Sequence, residues 1–331
     1  MSDKERVLVT GGAGYIGSHT VKQLLEKNYE VVVYDNLVSG HEKFVLADNF
    51  VRGDIGDREL LNETFRKYEP DAVMHFAAHC RVGESVRDPA KYYENNVVKG
   101  LTLLNATKDF GIDKFIFSSS AAIYGDPEEV PIKEEAPKEP KNPYGRTKLI
   151  FERILEDYSQ AYSTSACSLR YFNAAGTDPE GELGEIHDPE THLIPVVLEA
   201  AAGERDYIEI FGTDYDTPDG TAIRDFIHVN DLASAHVAAL DLLNRGDESY
   251  LAYNLGTGQG HSVKEVIETC KKVTDINIPV REGERRPGDP PELVADPRRG
   301  FEELNWNPKI NDLEPIVETS WNWIKRRYGL N

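Results

Sequence analysis

Residues 7–18 read VLVTGGAGYIGS, and the fold is decided there. A short apolar, β-branched run, RVLVTG (6–11), meets glycines at 11, 14 and 17, and a helical pattern follows from Tyr15 to about Asn28. Glycines after a strand and before a helix allow a tight turn and a close backbone approach, so a pyrophosphate can rest on the helix's first amides. The triad alone is weak evidence. Asp35 strengthens it by closing the second strand, EVVVYD (30–35), about 20 residues on, where a carboxylate accepts a hydrogen bond from an adenosine ribose. The same carboxylate repels a 2′-phosphate, which favours NAD over NADP.

Outward from this unit the pattern repeats. NFVRGD (49–54), DAVMHFAA (71–78), KFIFSSS (114–120) and SACSLRYFN (165–173) read as further strands, with a helical stretch over about 89–110. Strands that are nearly continuously apolar and alternate with helices predict a Rossmann-type, doubly wound parallel sheet covered on both faces. Residues 126–143, DPEEVPIKEEAPKEPKNP, read as an exposed loop over the top of that sheet. Beyond about 175 the alternation loosens. A polar loop (177–192) precedes a helix (193–203), strands YIEIFG (207–212) and IRDFIHV (223–229), a helix from Asp231 to about Leu243, and LAYNLGTG (251–258). Ser262 and Glu265 have capping-box spacing. The expected organisation is an NAD-binding domain over 1–175, to which parts of 223–250 return, and a smaller mixed α/β domain over 176–331.

Composition narrows the function classes. The 331 residues carry a net charge of −21 and are 40% hydrophobic, enough for a proper core. Such acidity argues against nucleic-acid binding, which needs basic patches. No apolar run approaches the roughly 18–20 residues that span a bilayer. The start, MSDKERVLVTGG, shows no signal-peptide pattern, and a cytoplasmic protein is expected. Three scattered cysteines form no CxxC pair, and His75, His79 and Cys80 have no further ligand at a suitable spacing, so no metal is expected.

The chemistry centres on NPYGRTK (142–148) and the helix it opens. Tyr144, Lys148, Phe151, Leu155, Tyr158 and Tyr162 share one helix face, while Glu152, Arg153, Glu156 and Asp157 fall off it as solvated charges. A lysine in a buried stripe costs stability unless something uses its charge. A free tyrosine is only about 0.1 per cent ionised at neutral pH, and a buried ammonium one turn away favours its phenolate. Ser118, Ser119 and Ser120 end the fifth strand, where ligands bind in an open α/β sheet. Serine, tyrosine and lysine together can take the proton of a substrate alcohol while its carbon gives hydride to nicotinamide.

With GGAGYIGSH, VGES, NPYGRTK, LRYFNAAG and IFGTDYDTPDGTAIRDFIHVNDL in view, the chain resembles the extended short-chain dehydrogenases/reductases, and within them the UDP-glucose (UDP-galactose) 4-epimerase family, over essentially its whole length. The last block, residues 210–232, is the most specific. The resemblance implies that Tyr144 is the base for the sugar 4-hydroxyl, Ser120 its hydrogen-bond partner, and Lys148 the residue that tunes Tyr144 and holds the nicotinamide ribose. Hydride then passes from sugar C4 to NAD, the 4-keto sugar turns over, and hydride returns to the other face. NAD contacts are expected from Gly11, Gly14, Tyr15, Ile16, Gly17, Asp35, Asn36, Asp54, Ile55, Phe76, Ala77, Ala78, Asn95, Ser118, Tyr171 and Phe172, beside Tyr144 and Lys148. Ala121 and Ala122 stand where 4,6-dehydratases of this fold carry an Asp-Glu pair, and methyl groups cannot transfer protons, so elimination is not expected.

For the UDP-sugar, the resemblance implies Arg224 and Arg286 on the diphosphate, Asp289 on the ribose, and Phe211 with Gly212 on uracil. Asn173, His192 and Leu193 would touch the nucleotide, besides Ser120 and Tyr144 at the sugar. Thr191–His192 and Cys80–Arg81 depart from the family's usual residues. Leu293 matches a gatekeeper beside the sugar's C2 substituent and is of intermediate size, which leaves N-acetylated sugars open. UDP-glucose and UDP-galactose are the expected substrates and a homodimer the expected assembly. UDP-GlcNAc and UDP-glucuronate 4-epimerases are the alternatives, and a non-catalytic NAD sensor is the reading from another class.

Overall fold

The computed structural model describes residues 4–246, 249–286 and 289–330. Strand β1 (Arg6–Thr10) leads through the glycine turn into helix α1 (Tyr15–Glu26), and β2 (Glu30–Asp35), β3 (Asn49–Arg52), α2 (Arg58–Tyr68) and β4 (Ala72–His75) follow. Two short helices, α3 (Val82–Arg87) and α4 (Pro89–Tyr93), run through a wide π-helical turn (Glu94–Lys99) into α5 (Gly100–Asp109). Then come β5 (Lys114–Ser118), α6 (Pro143–Ala161), β6 (Ser165–Tyr171) and β7 (Asn173–Ala175).

The main sheet is parallel throughout, in the order β3-β2-β1-β4-β5-β6 with one more strand beyond β6. That is the order of a doubly wound fold. Alternation along each strand feeds two cores. Val7, Val9, Val31, Val33 and Met74 face one layer with Val21 and Leu24 of α1. Leu8, Val32, Val73, Phe115 and Phe117 face the other with Leu61 of α2, Leu103 of α5 and Phe151 of α6.

The second half consists of α7 (Leu193–Ala201), β8 (Ile208–Phe211), β9 (Ile223–His228), α8 (Val229–Leu243), β10 (Tyr250–Leu255), β11 (Gly260–Ser262), α9 (Val263–Thr274), β12 (Val280–Gly283), β13 (Glu292–Leu293), α10 (Arg298–Glu303) and α11 (Leu313–Tyr328). It does not stay apart. β10 is the seventh strand of the large sheet, in register with β6 from Tyr250↔Ala166 to Leu255↔Tyr171, so the return reaches past residue 250. Leu232, Leu240 and Leu243 of α8 join the α1-side core. β9 instead centres a small sheet with β7, β11 and β13, while β8 pairs with β12. A separate apolar core joins α7, β8, α9 and α11 through Val197, Ile210, Ile267 and Val317.

The 126–143 segment is less exposed than its prolines and acids suggest. Ile132 and Glu134 are buried, and Ile132 bridges Ala295. Its backbone is held by Asn254, whose Nδ2 donates to the Ile132 carbonyl at 2.8 Å. Among the described residues no helix is long and apolar enough to cross a membrane.

Candidate active site

The glycine turn closes tightly on the end of β4. A Cβ on Gly11, whose φ is +77°, would lie 2.6 Å from the Ala77 amide nitrogen, and one on Gly17 would lie 2.2 Å from the Gly11 carbonyl oxygen. α1 begins after Gly14 with neither a side-chain cap nor an acidic residue in its first turn, which leaves its first amides to an anion. Asp35 accepts from the amides of Ala13 (3.0 Å) and Leu37 (2.8 Å), so the carboxylate stands beside that turn. Burial raises its pKa, opposed by those two amides. Asp54 accepts from Gly56 N–H, Asn36 and Lys99 at 2.8, 3.1 and 3.0 Å. Burial opposes its charge, but these three donors outweigh it and hold the carboxyl below its ordinary range. Turn, carboxylate and close-approach alanines fit a dinucleotide.

The other expected cofactor residues line the same edge or brace it. Tyr15 donates to the Gly176 carbonyl at 2.5 Å, and Ile16 and Phe76 pack against the α1-side core. Ile55 is buried in the opposite core, and Asn95 donates to Asn96 at 3.0 Å. Asn96, absent from the sequence-based set, clamps the loop after β4 by accepting from His79 N–H and donating to the His79 carbonyl, both at 2.9 Å.

The C-terminal end of β5 gathers the reactive groups. Ser118 and Tyr171 share a short hydroxyl contact, and Lys148 Nζ donates to the Ser118 carbonyl at 2.6 Å. The ammonium sits 4.8 Å from the centroid of the Phe117 ring and 5.8 Å from that of Tyr144. Burial lowers the Lys148 pKa to about 8. Burial also raises Tyr144 well above an ordinary phenol, and a hydrogen bond from Ser120 opposes this. The sequence led us to expect that Lys148 would bring Tyr144 toward the working range. In this geometry the ammonium donates to the Ser118 carbonyl, and burial pushes the Tyr144 phenol up.

A correction to the sequence reading lies one turn along α6. Glu152 is not a solvated charge but 3% exposed, because Arg170 on β6 projects onto it. Arg170 donates from Nε at 3.0 and 3.2 Å and from Nη2 at 2.7 Å, and Ser119 donates to Glu152 at 2.5 Å. Arg170 also donates to Tyr124 Oη and the Glu134 carbonyl, both at 3.0 Å. This network joins the serine strand end, the Tyr144 helix and the 126–143 segment. Arginine on a strand and glutamate on a helix give no local pattern, so sequence reading missed it. Tyr162 is the other departure; it follows the last helical residue and is 52% exposed.

Across the cleft, Arg224 Nη2 pairs with Asp289 at 2.5 Å, and the Arg286 guanidinium lies 4.0 Å from the Phe211 ring centroid. Gly212 takes φ +91°, and its amide donates to the Gly283 carbonyl at 3.0 Å. Asp225, also missed, is fully buried and accepts from the amides of Thr257, Gly258 and Ala295 at 2.9, 3.0 and 3.2 Å, which fixes the strand carrying Arg224. Leu293 lies opposite Arg224 in the register of β9 and β13 and packs with Phe172 into the apolar cluster of Ala121 and Tyr124. Asn173 opens β7, opposite Phe226 of β9. His192 is the N-cap residue of α7, directly before Leu193, and its ring is drawn to Glu185.

Residues 7–256 match the NAD dependent epimerase/dehydratase family. The chain belongs to this family. It is 52% identical over 321 residues to a UDP-glucose 4-epimerase of Rhizobium meliloti (strain 1021), a match covering 97% of each chain. The fold is similar to that of the UDP-glucose 4-epimerase from Brucella ovis solved with NAD, with a TM-score of 0.94, 51% identity and 99% of each chain covered. It is also similar to that of the Bifidobacterium longum enzyme in complex with NAD+ and UDP, with a TM-score of 0.92, 41% identity, and 98% of this chain and 100% of the other covered.

Proposed function

We propose that this chain interconverts UDP-glucose and UDP-galactose as an NAD-dependent 4-epimerase. The observation that carries the reading is the meeting of Ser120, Tyr144 and Lys148 at the end of β5, with the methyl groups of Ala121 and Ala122 where an eliminating enzyme needs acids. Relatives that are UDP-glucose 4-epimerases match nearly the whole chain. NAD, when bound, supplies the hydride acceptor and a positive ring that favours the Tyr144 phenolate.

Tyr144 takes the proton of the sugar 4-hydroxyl at Oη and returns it after the 4-keto sugar has turned over. Ser120 donates to the same sugar oxygen, and Lys148 supports the phenolate electrostatically. Gly11, Gly14, Gly17 and the α1 amides hold the dinucleotide's pyrophosphate, and Asp35 accepts from the adenosine ribose. Arg224 and Arg286 grip the substrate diphosphate, with Phe211 and Gly212 at uracil and Asp289 at its ribose. The Arg224–Asp289 pair and the Arg286–Phe211 stack support this by holding the two cations on one wall.

Leu293 supports a second reading on substrate range. It shares an apolar cluster with Ala121 and Phe172, and its intermediate size at the family's gatekeeper position leaves UDP-GlcNAc open as a substrate. We also infer a homodimer, as the family resemblance implies, and a cytoplasmic location, as the sequence reading expects; light scattering checks the assembly. NMR of products from UDP-galactose, UDP-GalNAc and UDP-glucuronate tests the activity, and no C4 inversion of any of them would sink it. Tyr144→Phe should lower kcat by about 10²–10⁴-fold with NAD still bound. A sensor would be indifferent to that change.

A further inference from the structure

The loop between β7 and α7 repeats a Glu-x-His unit, Glu185–Ile186–His187 and then Glu190–Thr191–His192. The four acid and imidazole side chains fold onto one point, with one ligand atom from each lying within 4.8 Å of the others. Glu185 Oε1 lies 3.1 Å from His187 Nδ1 and in closer contact with His192 Nδ1, and Glu190 Oε2 lies 3.5 Å from His187 Nδ1. Bonds of about 2.0–2.2 Å from a tetrahedral ion put its ligand atoms roughly 3.3–3.5 Å apart, so the two separations to His187 Nδ1 are near those of a bound set, while Glu185 and His192 stand closer.

One atom shows that ion pairing alone does not complete the cluster. Glu190 Oε2 is buried, on a side chain 1% exposed, and has no hydrogen-bond partner. Its sister oxygen is fixed, accepting from the amides of Thr191 at 2.7 Å and His192 at 3.0 Å, which turns Oε2 toward His187. Native proteins rarely leave such an acceptor unmet. With its histidines deprotonated, as metal binding requires, the set carries the charge of two carboxylates, which a divalent cation cancels.

We propose that Glu185, His187, Glu190 and His192 form a site for a divalent transition-metal ion of the zinc type. Mixed imidazole and carboxylate donors suit such an ion better than calcium or magnesium, which take oxygen ligands. The expectation of no metal rested on His75, His79 and Cys80, which lie at the end of β4 and in the loop after it. The ion's role is structural, because the loop is a junction. Trp323 of α11 donates to the Glu185 carbonyl at 3.0 Å, and Arg205 donates to the Glu190 carbonyl at 3.2 Å. His41, from the segment after β2, contacts the Ile186 carbonyl at 3.3 Å, and Arg81, from the loop after β4, donates to the Asp188 carbonyl. The metal therefore ties the substrate half to the NAD-binding half, next to the start of α7.

The test uses the tag-free, full-length holoenzyme after chelator treatment, with ZnCl₂ and CoCl₂ as probes. We expect one zinc per chain by calorimetry and elemental analysis, a melting temperature that rises with zinc, and strong visible Co²⁺ bands that zinc abolishes. His187→Gln and Glu190→Gln should each weaken zinc binding by more than the roughly 10–100-fold that an outer-shell loss costs, and remove the thermal shift. Absence of stoichiometric zinc, or binding as tight as wild type by either variant, would overturn the proposal. So would pale octahedral Co²⁺ bands, as the all-oxygen trio Asp178, Glu180 and Glu182 would give, or a thiolate charge-transfer band from Cys80. If neither variant folds, the wild-type Co²⁺ spectrum still decides.

Discussion

Lys148 and Glu152 stand one turn apart on α6, each 3% exposed, and the protein treats their charges in opposite ways. Glu152 is met on both oxygens by Arg170 and by Ser119. Lys148 forms no ion pair among the described residues; it has the Ser118 carbonyl and the face of Phe117. Glu152 therefore sits within a closed network, whereas burial pulls Lys148 down to a pKa of about 8. Where every lone pair is satisfied, a buried charge fixes geometry. Where one is left short of partners it costs stability, and such a perturbed group marks a candidate for the proposed reaction.

The largest effects should separate the two. Arg170→Met leaves Glu152 buried without its cation and should cost about 3–5 kcal/mol of stability in denaturant melts. Adding Glu152→Met should recover much of that loss, because an apolar pair of similar volume often replaces a buried ion pair without net cost. Lys148→Met should do the reverse. Turnover should fall by about 10²–10⁴-fold, while the melting temperature stays level or rises as an under-solvated ammonium disappears. Equal destabilisation by Arg170→Met and Lys148→Met would erase the distinction.

The same pair shows what could be read in advance. Lys148 stood out because a charge interrupted an apolar stripe, a periodic signal within one helix. Glu152 sits beside that stripe, and nothing local reveals that Arg170 reaches it from β6, 18 residues on. The NAD-binding half was legible because glycine turn, strand and Asp35 recur at short, fixed spacing. The return of β10 to the far edge of the large sheet was not, since LAYNLGTG reads alike as an edge strand of either sheet. Asp225 and Asn96 were missed for the Glu152 reason: their partners are backbone amides and carbonyls far along the chain.

The opposite wall extends the comparison to an exposed cation. Arg286 is exposed and stacks on Phe211, whereas Arg224 is partly buried and paired with Asp289. Arg286→Ala should raise KM for the UDP-sugar by roughly 10–100-fold, the worth of about 1.5–3 kcal/mol for a charged hydrogen bond, with kcat little changed. Stability should move by less than about 0.5 kcal/mol, as for most surface changes. A matching fall in kcat would place Arg286 with the reacting groups rather than with the anchor.

The smallest effect is a slope. Lys148 has its pKa lowered from the ordinary 10.5 to about 8. Below pH 8 the group is protonated in both folded and unfolded chains, and its burial penalty is fully present. Between about 8 and 10.5 the unfolded chain binds more protons than the folded one, so the contribution of Lys148 to stability improves as pH rises. The gap between wild type and Lys148→Met should therefore close by roughly 1 kcal/mol per pH unit across that window. Catalysis should move the other way, since the ammonium that supports Tyr144 is lost over the same range. Urea melts and kcat measured on both proteins from pH 7 to pH 10 check the two signs together. If the stability gap widens with pH, Lys148 has a buried anionic partner, and its difference from Glu152 disappears.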